Sequence, residues 1–558
     1  MKKLVILLIL ALSVIGFSPA MGDDADEIKQ LENPIGGGWI GVDFFDTVYD
    51  GTSLLTVFNN RTEENVDDWK TVICDSVADP KCQIPGYNID ALSIFSPCNE
   101  VITENCIESL GATLANGEKI VGTPGKLWNP NGVFKGDALK GIPDGGQPST
   151  WTLKGSNPNG SEDYVLVAGV KGQMKVPDSS TAADNQNLFW GNIFANLQPV
   201  KYTQGNYQDP KMVLFPRGKT GIGTGGGLAI NRGCFMNDST QCALRATFPL
   251  DVTYTLKFRF SVRLASWLRG RLVDPVITTE NSGSLKSTMT ISAKAMSVPE
   301  VGGYIKWSDA PDWVKAKYPA GTGGTGTSPD AFTTQDLTTR ILRVSSGSSG
   351  DRALKEFKEW IPFLLDKPMA MKTYWNVQSV QSSQKMNQCA HEKFAGYVAS
   401  NSAIYSSGAP NWNEERQSLD YIVGAPHFDT QGNVLQGSYA LGIKSDVARC
   451  LYGFTSAPIS ARVEIASEDG SPNIATTVIN EDSASGMFTL TASGFHYSTP
   501  QLSVKLLQEK TPTPVATPSA TPTPKAVAKV KSILCIKGKI KKTVKGTNPR
   551  CPTGYKKA

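Results

Sequence analysis

Histidine is scarce: His391, His427 and His496 are the only three in 558 residues. They stand far apart, and His391-Glu392 is not followed by the second His that a helical zinc-protease motif requires. Each therefore reads as an ordinary packed or surface His. No Gly-x-Ser-x-Gly elbow occurs, so the usual mark of an α/β serine hydrolase is missing. Gly221, Gly223 and Gly226 have dinucleotide-loop spacing, but the LAINRGC that follows has no amphipathic helical pattern, and the match reflects composition. Lys219-Thr220 lacks the preceding Gly of a phosphate loop. Beyond the N-terminus no apolar stretch approaches the ~20 residues that cross a bilayer. No catalytic residue, cofactor or metal ligand is expected from motifs.

Negative charge is absent from one end. Residues 525–558 hold ten Lys and one Arg, with no Asp or Glu. The whole chain is +4; without those eleven charges and those of Lys2 and Lys3, residues 4–524 carry −9. An acidic body with a basic appendage implies that the tail alone meets an anionic partner. Lys537, Lys539, Lys541, Lys542, Lys545, Arg550, Lys556 and Lys557 are the candidate contacts. Nucleic acid would satisfy the same charge, but Tyr555 is the only aromatic in the tail to stack on a base, so none is expected.

The start reads as a signal peptide over residues 1–22. Lys2 and Lys3 precede an apolar run from Leu4 to Phe17, and small residues follow around Ala20-Met21-Gly22. No Cys follows closely, which argues against a lipid-anchored start. In an exported chain the ten Cys read as disulfides. Cys74 and Cys82, Cys98 and Cys106, and Cys234 and Cys242 are each separated by seven residues; Cys535 and Cys551 share the tail, leaving Cys389 with Cys450. Nearest-neighbour pairing is the simplest of many connectivities. The short enclosed sequences, such as DSVADPK, are polar and acidic but lack calcium-loop spacing. A thiol–base pair of Cys389 and His391 is discounted, because the disulfide uses the thiol.

About 500 residues of body exceed one core, so two or three domains are expected. With 53 Gly, 34 Pro and short alternating segments, the fold class is mainly β: a multi-domain, β-sandwich-like body with few helices. The reading places a β-rich domain at 23–300, a mixed region at 301–456, a small immunoglobulin-like sheet module at 457–508, a Pro/Thr linker at 509–524 and a basic disulfide hairpin at 525–558. Leu250 to Leu264 alternates apolar and polar residues with period two. Fifteen residues would span about 50 Å, so a bend or bulge is expected there. Ser287 to Val298 alternates more weakly, and Tyr164 to Val170 reads as a buried strand. Asp351 to Leu365 has helical spacing of Leu354, Phe357, Trp360, Ile361, Leu364 and Leu365. Short helices are also expected at 311–318 and 390–399. The Gly/Thr stretch Gly321 to Ser328 reads as a loop. Asp469-Gly470 reads as a turn between strands Ile459–Ile465 and Ile474–Ile479, with Met487–Thr491 and Leu502–Leu507 completing the module. In the tail, Ile533 to Ile536, a turn at Gly538 and Ile540 to Val544 form a hairpin that Cys551 clips. Trp39, Trp128, Trp151, Trp190, Trp307, Trp313 and Trp412 lie near Gly, Pro, Asn or Asp, as sugar-stacking Trp often do, although buried Trp look the same in sequence.

From Tyr421 onward, YIVGAPHFDTQGNVLQGSYALGIKSDVARCLYGFTSAPISARVEIASEDG, NIATTVINE and QLSVKLLQ are similar to the C-terminal part of uncharacterised secreted cell-surface proteins of aquatic actinobacteria. The tail ILCIKGKIKKTVKGTNPRCPTGYKKA resembles a short terminal module shared by such exported proteins, through Cys535-x2-Gly-Lys, a basic run, Pro549, Cys551-Pro552 and Gly554-Tyr555. The resemblance covers residues 421–558. It implies envelope or surface residence and brings no catalytic residues.

The expectation is thus an extracellular, cell-surface or cell-wall associated protein with a structural, adhesive or ligand-binding role. Its basic tail module would tether it to anionic cell-wall polymer or other envelope glycan, with a carbohydrate or protein as candidate ligand of the β body. The alternative is a secreted glycan-acting hydrolase with paired carboxylates in a β-sheet cleft.

Overall fold

A computed structural model describes residues 38–46, 51–58, 71–129, 132–158, 160–177, 189–207, 234–262, 266–281, 286–317, 339–345, 350–391, 393–406, 408–455, 459–466, 475–482, 485–497, 501–508 and 530–558. The signal-peptide residues 1–22, the glycine spacing at 221–226, Lys219-Thr220, the loop at 321–328, the turn at Asp469-Gly470 and the 509–524 linker lie outside them. The described chain is mainly β, with four α-helices: α1 (Asp312–Lys317), α2 (Gly350–Trp360), α3 (Gln384–Ala390) and α4 (Ser445–Tyr452). Met1–Leu507 forms one compact unit and Gln508–Ala558 another.

The centre of the first unit is a network of 18 paired strands. Asp163–Lys175 pairs antiparallel with Trp190–Gln204, which pairs with Ala370–Val380. Ala370–Val380 continues to Trp267–Arg271, which lies parallel to Gly396–Ser400. The network then passes through Gln436–Lys444 and Met487–His496 to Thr476–Asp482. Asp163–Lys175 takes the continuous apolar run at Tyr164 to Val170. Its two faces serve two cores: Tyr164, Leu166, Ala168 and Val170 enter one, while Val165 and Val167 enter another. A strand buried on both faces loses the alternation that a half-buried strand keeps.

A separate five-stranded sheet packs on the first core. At its middle, Thr253–Phe260 buries Tyr254, Leu256, Phe258 and Phe260 and turns Thr253, Thr255, Lys257 and Arg259 outward. The strand is eight residues long, shorter than the alternation suggested, and its pairing with Cys106–Thr113 shifts register between Lys257 and Phe258, the irregularity expected of the long pattern. Ser287–Lys294 pairs along its other edge.

A further core lies between the far end of the network, the helices and another sheet. Phe357 and Trp360 of α2, Met386 of α3 and Val447 and Leu451 of α4 pack there with Tyr421, Tyr439, Leu441, Phe488 and Val504. The expected helix at 351–365 is α2 followed by a 3₁₀ turn at Ile361–Leu364, which ends at Leu365 in the left-handed region. The helix expected at 311–318 is α1.

Three sequence expectations need correcting. Residues 393–399 do not form a helix. The helix lies earlier, as α3, where the Ser383 hydroxyl accepts a bond from the Met386 N–H, and Gly396–Ser400 is a fully buried strand. The strands of 457–508 do not assemble one sheet of their own. Thr476–Asp482 and Met487–His496 extend the large network, while Gln501–Gln508 pairs with Ser418–Gly424 and with Ile459–Ala466 in another sheet. Four strands cannot close a sandwich alone, so they complete sheets begun by earlier segments and share their core. The boundary drawn at residue 300 falls inside the strand Met296–Lys306.

All five nearest-neighbour disulfides are present. Cα separations are 6.1 Å for Cys74–Cys82, 5.0 Å for Cys98–Cys106, 5.5 Å for Cys234–Cys242, 5.7 Å for Cys389–Cys450 and 5.7 Å for Cys535–Cys551. Among the described residues no helix is long and apolar enough to cross a membrane.

Candidate functional site

The second unit is a small three-stranded sheet. Lys531–Lys537 pairs antiparallel with Ile540–Gly546, and Lys556–Lys557 returns along its other side. Gly538, at φ 60°, occupies the left-handed position that the tight turn demands. Cys535 is completely buried, and its bond to Cys551 brings the C-terminal segment back onto the hairpin. The hairpin buries too little apolar surface to stand alone, so the disulfide and third strand carry much of its stability.

All eight candidate basic residues in the tail are exposed. The register divides them. Lys542, paired with Cys535, and Lys537, paired with Ile540, share the cysteine's face with Lys557. Lys541, paired with Ile536, and Lys545, paired with Ser532, lie on the opposite face with Lys556. Lys539 occupies the turn, while Arg550 precedes Cys551. Cation charge therefore surrounds the module. Such a distribution attracts a flexible polyanion from any side, with a salt-sensitive and weakly specific field. Leu534 and Ile540 are also exposed among these charges.

In the body, the sequence-identified chemistry does not converge. Cys389 is bonded to Cys450, which removes the thiol nucleophile. His391 ends α3 in the left-handed region, and His496 closes the strand Met487–His496. His427 Nδ1 lies 2.6 Å from Asp366 Oδ2, and its backbone N–H donates to Asp366 Oδ1 at 2.8 Å. No group of three His, Cys, Asp or Glu among the described residues could hold a metal ion. Of the seven singled-out Trp, Trp128 and Trp151 are core residues whose indole N–H groups donate to Thr150 and Ser149 hydroxyls at 2.9 Å. Trp39, Trp307, Trp313 and Trp412 are half-buried, and Trp190 is exposed.

Sequence reading missed the buried charges. Arg271 pairs with Asp46 in the core, and Lys372 contacts Glu300 where both side chains are about nine-tenths out of water. The signal was present: Lys372 is the one charged residue in the largely buried strand AMKTYWNVQSV. Nothing in sequence joined it to residues 72 positions away. No protein-family model, curated protein or solved structure matches the chain.

Proposed function

We propose that the chain is an exported protein of the cell envelope, held at the surface by its basic hairpin on an anionic wall polymer or related envelope glycan. The body then has a structural, adhesive or ligand-binding role rather than a catalytic one. The observation that carries this reading is the ring of eight exposed basic residues on a disulfide-closed hairpin with no Asp or Glu side chain. The signal-peptide pattern, the five disulfides and the resemblance of residues 421–558 to secreted cell-surface proteins support it.

The test deletes residues 525–558 and follows the protein between cell-wall and medium fractions at rising salt. The full chain should be wall-bound at low salt and released as salt screens the tail, whereas the truncated chain should be in the medium throughout. Equal retention of both proteins at every salt concentration would end the anchoring idea.

A further inference from the structure

Asp43, Glu300 and Lys372 come from strands that pair through Met296–Lys306: Trp39–Phe45 along one part of its length, Ala370–Val380 along the other. Asp43 sits opposite Gly302, Glu300 opposite Ala370 and Lys372 opposite Val298. Directly paired residues, and residues two apart on one strand, share a sheet face. The three side chains therefore project to the same side. Lys372 Nζ touches Glu300 Oε2, with the two side chains only 11% and 12% exposed.

An ion pair in such a place costs both partners their water, and the loss is hard to recover unless every remaining donor and acceptor is matched. Proton transfer within the pair, from Lys372 Nζ to the Glu300 carboxylate, removes both charges and with them most of that cost. Burial holds the Glu300 carboxyl above the usual carboxylate range; the Lys372 and Arg245 charges oppose this, and the Asp43 charge adds to it. An amine in contact with a carboxyl, both fixed on paired strands, has the proximity that makes intramolecular condensation fast compared with its counterpart in solution. Asp43 supplies a second carboxyl that can take and return a proton.

We propose that Lys372 and Glu300 become joined by an intramolecular amide bond once the chain has folded, with Asp43 as the proton relay. A proton passes from Lys372 Nζ to the Glu300 carboxylate within the pair, and the amine so formed attacks Cδ of the resulting acid. Asp43 accepts a proton from the nitrogen and delivers it to the departing hydroxyl; the Cδ–O bond breaks and one water leaves. The Nζ–Cδ amide remains, and no oxidant, reductant or cofactor enters the balance. The bond would be a covalent rung between Met296–Lys306 and Ala370–Val380, and unlike the five disulfides it would survive reduction.

The test is the intact mass of the purified full chain after denaturation, reduction and alkylation, set against the mass calculated from its measured N-terminus. The expected result is a chain lighter by one water, with a protease digest containing a branched peptide that carries both Lys372 and Glu300. Lys372→Met, which keeps the length of the side chain, should show the full linear mass. Asp43→Asn should retain cooperative unfolding yet accumulate uncrosslinked chain. Full linear mass in the unaltered protein, with Lys372 and Glu300 recovered in separate peptides, overturns the bond. Complete crosslinking in Asp43→Asn overturns the relay.

Discussion

Arg271 Nε donates a 2.6 Å hydrogen bond to Asp46 Oδ2, with the two side chains only 2% and 5% exposed. The other Asp46 oxygen accepts from the Tyr405 hydroxyl at 2.7 Å, and Arg271 Nη1 donates to the Ser400 carbonyl. The guanidinium lies 4.3 Å from the centre of the Tyr405 ring. Burial, reinforced by the Asp46 charge, pushes the Tyr405 hydroxyl up to about 12. One ion pair thus ties the end of Trp39–Phe45 to Trp267–Arg271, Gly396–Ser400 and Ile404–Tyr405.

Removing one member should leave the other charge stranded in the core. Asp46→Asn is expected to cost about 3–5 kcal/mol of unfolding free energy, measured by denaturant titration. The double variant Asp46→Leu, Arg271→Met should recover a large part of that loss, because no uncompensated charge remains. If the single variant costs less than ~1 kcal/mol, the pair is not the tie described here.

Glycine carries a similar constraint nearby. Gly442 lies directly opposite Tyr397 in the pairing of Gly396–Ser400 with Gln436–Lys444. A Cβ on Gly442 would stand 2.2 Å from the Tyr397 ring. That ring is buried, and its hydroxyl donates to the Pro275 carbonyl at 3.0 Å, so it has little freedom to retreat. Gly442→Ala should therefore lower stability by about 1–3 kcal/mol, visible as a lower thermal midpoint. Pairing it with Tyr397→Leu should make the alanine much less costly.

How much of this was legible depended on whether one face of a strand met water. Thr253–Phe260 alternates because its outer side chains are solvated, and it was found. Gly396–Ser400 is buried throughout, so GYVAS carries no period-two signal and its sequence suggests part of a helix instead. The pairing of Cys389 with Cys450 emerged by elimination from Cys spacing, and the tail hairpin from its Gly538 turn and flanking Ile and Val residues. By contrast, Asp46 with Arg271, and Glu300 with Lys372, meet only through the strand order of the large network. No local pattern encodes that order. The tail hairpin and its basic character were legible because turn, strands and composition are local, although the distribution of Lys over both faces required the register.

The last prediction concerns acid. Asp238 lies within the Cys234–Cys242 loop, where its Oδ1 accepts from the N–H groups of Thr240 and Gln241 at 2.8 Å. Its Oδ2 receives Lys126 Nζ at 2.5 Å. Partial burial works against its ionised form, but the Lys126 bond and the two backbone donors prevail and bring the carboxyl down to about 2. The folded value lies below the unfolded one of about 3.9, so this group's stabilisation is fully present above about pH 4 and is lost as pH falls toward about 2. Because the Asp238 and Lys126 side chains are 30% and 38% exposed, solvent screening reduces the gain to about 1 kcal/mol. Asp238→Asn should be less stable than the parent by that amount at pH 6, and the difference should shrink steadily as pH is lowered from about 4 to about 2. Added salt at pH 6 should narrow the gap too, since Lys126 reaches Asp238 at the surface. A difference that stays constant from pH 6 to pH 2 would mean that the Asp238 charge does not hold this loop.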